Sequence, residues 1–94
     1  MVRILNSSIE PVTVYQGTGR NTTVTVDVDS IYVIASCYDH SYSPIASGAN
    51  ILYSTETNHD NAYYCRLTIF KATSTSLVLN SGVSPMVISK IIDN

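Results

Sequence analysis

The chain contains no tryptophan, two cysteines, three prolines and four glycines among its 94 residues, and charged side chains make up only 13% of it against a usual ~25%. Each scarcity excludes something. Few prolines and glycines rule out a low-complexity linker or a collagen-like repeat. Two cysteines outside any C-x-x-C pair rule out a disulfide-dense scaffold and the common structural zinc patterns. The five cations, Arg3, Arg20, Arg66, Lys71 and Lys90, are scattered, so no basic stripe tracks successive phosphates and long nucleic acid is not an expected partner. No apolar run approaches the ~20 residues of a membrane-spanning helix, and residues 1–6 turn polar too early for the apolar core of a signal peptide. No membrane partner is expected, and synthesis in a reducing cytoplasm is the simpler expectation. It favours free, structural thiols at Cys37 and Cys65 over a disulfide between their strands, which geometry permits.

What is present is strand chemistry. Val, Ile, Thr and Tyr dominate, the apolar fraction is 45%, and the net charge is only −2, which is the opposite of a disordered composition. A chain of this size is one domain, spanning residues 1–94, that buries roughly 60 to 70% of the surface its unfolded form exposes. Alternating segments over residues 2–6, 11–15, 22–28, 30–38, 49–54, 62–70, 76–79 and 86–91 recur at spacings of about 8 to 12 residues, separated by turn-rich stretches. That cadence predicts an all-β antiparallel sandwich of about eight strands, jelly-roll-like. Gly17-Thr18-Gly19-Arg20-Asn21 reads as a hairpin turn and lacks the lysine and helix of a phosphate-binding loop. Asp27-Val28-Asp29-Ser30 offers side-chain caps for a chain reversal.

The phase of the apolar residues points to assembly. Val24, Val26 and Val28 share one face, so their strand has a wet side, whereas residues 31–38 are apolar on both sides. Taking Ile31, Val33, Ala35 and Cys37 as one core face, and Tyr63, Cys65, Leu67 and Ile69 as the other, leaves Ile34, Tyr64 and Phe70 without cover, together with the carboxy-terminal Ile91 and Ile92. Those five are the expected oligomer interface, because a small sandwich has only one internal face per sheet. A homotrimer is the first choice. Tyr32 and Tyr53 are expected to pack internally.

No catalytic motif stands out. Gly82-Val83-Ser84-Pro85-Met86 begins a nucleophile elbow and lacks its closing glycine, and no convergent acid, base and nucleophile can be named, so the chain is not expected to be an enzyme and calls for no cofactor. The best candidate for ligand binding pairs two loops. Asp39-His40 follows one apolar strand and His59-Asp60 precedes another, with Tyr38, Tyr42 and Tyr63 beside them and Arg66 as the nearest cation. Aromatic faces can stack on a sugar or base while the polar groups bond its rim, so a glycan, a host receptor or a small nucleotide is the expected ligand class. Two imidazoles and a carboxylate can also ligate zinc, but the H-x-x-x-H spacing is absent and ordinary polar turns explain the same residues, so no metal site is assigned.

The segments 30–38, 48–54 and 61–67, with the closing Val87-Ile88-Ser89-Lys90-Ile91, resemble in strand cadence and residue flavour the small β-rich tips of tail and fibre proteins from phages of gut Firmicutes. The likeness covers about residues 18–92. It implies a trimeric jelly-roll knob in the virion that displays loops for host attachment, with no catalytic residues to carry over. The alternative is a small phage protein of the host cytoplasm that sequesters a nucleotide signal or binds a host factor in an anti-defence role.

Overall fold

The computed structural model describes residues 11–38, 44–58, 64–80 and 85–93, without the side chains of Cys37, Tyr38, Asn58 and Tyr64. The expected strand over residues 2–6 lies outside them. The described residues hold eight strands and no helix: β1 (Val12–Gly17), β2 (Thr22–Thr25), β3 (Ile31–Tyr38), β4 (Ile45–Ser47), β5 (Ala49–Asn58), β6 (Tyr64–Ala72), β7 (Ser76–Leu79) and β8 (Met86–Ile92). They form two antiparallel sheets, one of five strands in the order β1-β8-β3-β6-β5 and one of three in the order β2-β7-β4. β1 pairs with β8, β2 with β7 and β3 with β6, which is a long hairpin folded on itself and rolled into two layers, the wrapping of a jelly roll. β5 departs from that nesting by pairing with β6 in the larger sheet.

The core lies between the sheets. Val24, Val26, Leu77 and Leu79 project from the smaller sheet and its flank onto Tyr32, Ile34, Phe70, Met86 and Ile88 of the larger one. The rings of Tyr32 and Phe70, directly opposite in register, stack with centroids 5.4 Å apart, and the Tyr32 hydroxyl accepts the Asp27 amide at 2.8 Å. A large aromatic thus fills the layer while its polar tip finds a partner.

The turn reading holds at Asp27-Val28-Asp29-Ser30: Asp29 takes a positive φ of 70° and the Ser30 amide donates to the Asp27 carbonyl. It fails at Gly17-Thr18-Gly19-Arg20-Asn21, which joins strands of different sheets, so it is a crossing between layers rather than a hairpin. The short β4 was not expected, and β5 runs four residues beyond the expected end. Gly48, between β4 and β5, carries the chain from one sheet to the other in a single residue at φ 96°; a Cβ there would collide with the Ser76 carbonyl.

The largest correction concerns phase. On β3 and β6 the buried side is the even-numbered one: Tyr32, Ile34 and Phe70 are at most 1% exposed, with Ser36 and Thr68 beside them. Ile34 and Phe70 are therefore core residues, not interface residues. Ile31, Val33, Cys65 and Ile69 are only half-buried and Ala35 and Leu67 are exposed, so the expected core face is the outer face. Both sides of these strands are apolar, and alternation alone does not say which side another layer covers. Val28 is also exposed, because β2 ends at Thr25 and the chain has already turned. Tyr53 projects into solvent at 56% exposure instead of packing.

Candidate functional site

The outer face of the five-stranded sheet can be built row by row from the register. One row runs Thr13, Ser89, Val33, Ile69, Tyr53 from β1 to β5; the next runs Gln16, Val87, Ala35, Leu67, Thr55. A third, shorter row places Cys37, Cys65 and Thr57 side by side. None of these thirteen positions carries a charge. Leu67 is 39% and Val87 37% exposed at the centre of the sheet, where a monomer of ordinary composition places polar side chains. Between the second and third rows, Thr55, Thr57, Cys65, Leu67, Pro85 and Val87 line a shallow depression of about 480 Å³. Cys65 holds a free thiol in it.

The inner face of the same sheet becomes polar towards the end where Tyr38 pairs with Tyr64. Arg66 Nη2 donates to Glu56 Oε1 at 2.8 Å and Nη1 to Ser54 Oγ at 2.9 Å, and the Ser54 and Thr68 hydroxyls lie 3.2 Å apart. The arginine and glutamate are register partners across β5 and β6, so the pair follows directly from strand alignment. Ser36 Oγ is buried nearby without a partner among the described residues. At this end the sheet thus turns Cys65, Leu67 and Val87 outward and Arg66, Thr68 and Ser36 inward.

At the opposite end, Lys90 of β8 binds Asp27 and Asp93, the latter at 3.1 Å, and Ser30 Oγ donates to Asp93 Oδ1. Hydrogen bonds from the ammonium to Asp27 and then Asp93 raise its pKa well above the ordinary 10.5. These contacts fasten the end of β8 to the β2–β3 turn. No group of three or more metal-ligating side chains occurs among the described residues.

Of the expected ligand loops, Asp39, His40, Tyr42, His59, Asp60 and Tyr63 lie outside the described residues. Their anchor points are adjacent: Tyr38 pairs with Tyr64, and Tyr64 with Asn58, at one end of the large sheet. Arg66 sits two residues inside that end with its guanidinium engaged by Glu56 and Ser54, which weakens its role as a cation awaiting an anionic ligand. Of the expected interface residues still in question, Ile91 is half-buried and Ile92 exposed at the other end of the sheet, and the Tyr64 side chain is not described. Sequence reading missed Val33, Leu67 and Val87 as surface residues; the only available signal was that both strand faces are apolar.

No helix among the described residues is long and apolar enough to cross a membrane. No family model matches the chain, and neither a curated protein nor a solved structure matches it.

Proposed function

We propose that this chain is a non-enzymatic phage structural or host-recognition module that works as a homo-oligomer. The observation that carries the assembly reading is the charge-free middle of the outer face, with Val33, Ala35, Leu67, Ile69, Val87 and Tyr53 across three central strands and one edge and Lys71 only in the row beyond. Five strands ~4.8 Å apart and seven residues long at ~3.3 Å each give a flat area of roughly 550 Å². Side-chain relief brings that towards the ~800 Å² per partner of a standard interface. Such a face, left wet, is an aggregation liability; covered by a second copy, it supplies hydrophobic association. The phage assignment draws on the resemblance in strand cadence, which the jelly-roll wrapping suits.

Light scattering on the purified chain across micromolar concentrations tests assembly: an oligomer is expected, and a monomer with well-dispersed amide resonances overturns it. Mass spectrometry of purified phage particles tests the virion role, with recovery of the chain in stoichiometric amount as the expected result.

A further inference from the structure

We infer that the free edge of β5 is a strand-pairing site whose occupant is β5 of a second copy, related by a two-fold axis near Thr55. The inference rests on the homo-oligomer reading and adds a seam to it. β5 pairs with β6 on one side and, among the described residues, with nothing on the other. Unpaired strand edges template further pairing, and monomeric proteins blunt them with lysine, proline, bulges or short length. β5 is ten residues long with no lysine or proline. Instead it exposes three consecutive apolar side chains, Ile51, Leu52 and Tyr53, at 45, 51 and 56%. Such a run suits a strand covered on both sides and is out of place on a monomer's edge.

The irregularity between Ile51 and Tyr53 interrupts the first part of the edge only; residues 53–58 pair in unbroken register with β6. Antiparallel self-pairing of that stretch about Thr55 sets Tyr53 opposite Thr57 of the second copy, Ser54 opposite Glu56 and Thr55 opposite itself. The even sum of paired residue numbers keeps both outer faces on the same side of a continuous ten-stranded sheet. Charge permits the match. Glu56, the one charged residue of β5, is neutralised within its own chain by Arg66 and meets a serine rather than another acid. A five-residue seam is only ~17 Å long, so the pair gains from the doubled apolar face that it creates.

Cross-linking and light scattering decide it. In a Cys37→Ala, Cys65→Ala background, Thr55→Cys is expected to give a disulfide-linked dimer within minutes of mild oxidation, while Thr23→Cys on the exposed edge strand β2 is not. Leu52→Lys with Tyr53→Lys is expected to weaken association at least tenfold while leaving the circular dichroism of the fold unchanged. A native monomer would sink both this seam and the assembly reading. A native oligomer dissociated by Leu67→Glu, yet indifferent to the two lysines and giving no Thr55→Cys cross-link, would overturn the seam and leave the assembly reading standing. A native trimer would also overturn the seam, because two-fold pairing gives even-numbered assemblies.

Discussion

The inner and outer faces of the five-stranded sheet differ less in hydrophobicity than in what each demands of its residues. On β6 the covered side carries Arg66, Thr68 and Phe70, and the bare side Cys65, Leu67 and Ile69. The covered side tolerates polar groups because register places a partner opposite: Ser54 for Thr68, Glu56 for Arg66. The bare side has no such partners, and its one charge on β6 is Lys71 at the far end of the strand, beside Asp29. Burial in this sheet follows the fit of large side chains, Tyr32 stacked on Phe70, rather than the sum of apolar residues on a face.

The sharpest way to break that contrast is to truncate one residue on each side of β6. Phe70→Ala removes a fully buried ring and is expected to cost about 3 to 5 kcal/mol in chemical denaturation, whereas Leu67→Ala in the dissociated chain should cost under ~1 kcal/mol. Equal losses would mean that the two faces are not distinguished by cover. Gly48→Ala, at the corner joining the layers, is expected to cost roughly 1 to 3 kcal/mol or more, because its positive φ and the Ser76 carbonyl both oppose a side chain. Leu67→Glu is expected to weaken self-association at least tenfold by light scattering, about 1.4 kcal/mol, with little change in the monomer's thermal midpoint. Arg66→Met, at the polar end of the inner face, should change stability by less than ~1 kcal/mol, since the pair with Glu56 remains in partial contact with water.

The smallest effect concerns Lys90. Its pKa is raised in the folded state, so its contribution is fully present below 10.5 and declines as pH rises through the elevated folded value. Alkaline melting is therefore expected to destabilise the native chain slightly more than Lys90→Met, with the two converging at the highest pH. A native chain no more alkali-sensitive than the variant would show that the Asp27 and Asp93 contacts contribute nothing measurable.

The strands were legible where one face is plainly polar. Thr23 and Thr25 flank Val24, and burial of Val24 and Val26 follows the alternation. The Asp27 to Ser30 reversal was legible because aspartate tolerates positive φ and caps a turn. β4 was not, since Ile45-Ala46-Ser47 is too short to display a period. The orientation of β3 and β6 was not legible either, because choosing the more apolar side as core assumes an isolated sandwich, and two cysteines in phase with Val33 and Leu67 reinforced the error. For the candidate site, sequence reading anticipated an uncovered apolar surface but assigned it to Ile34 and Phe70. Which layer lies over a strand depends on pairings up to the full length of the chain apart, information no local window holds.

The nested pairing has a consequence for the order in which the protein can be made. β8 is the last of the described strands along the chain, yet it lies inside the large sheet between β1 and β3. Until residue 92 has cleared the ribosome, β1 has no neighbour among the described strands of that sheet and β3 lacks one of its two. Non-local pairing of this kind typically folds in milliseconds to seconds. Closure of the large sheet therefore waits for β8, and the interval between the emergence of β1 and β3 and the arrival of β8 is when these strands are most open to pairing with other nascent chains.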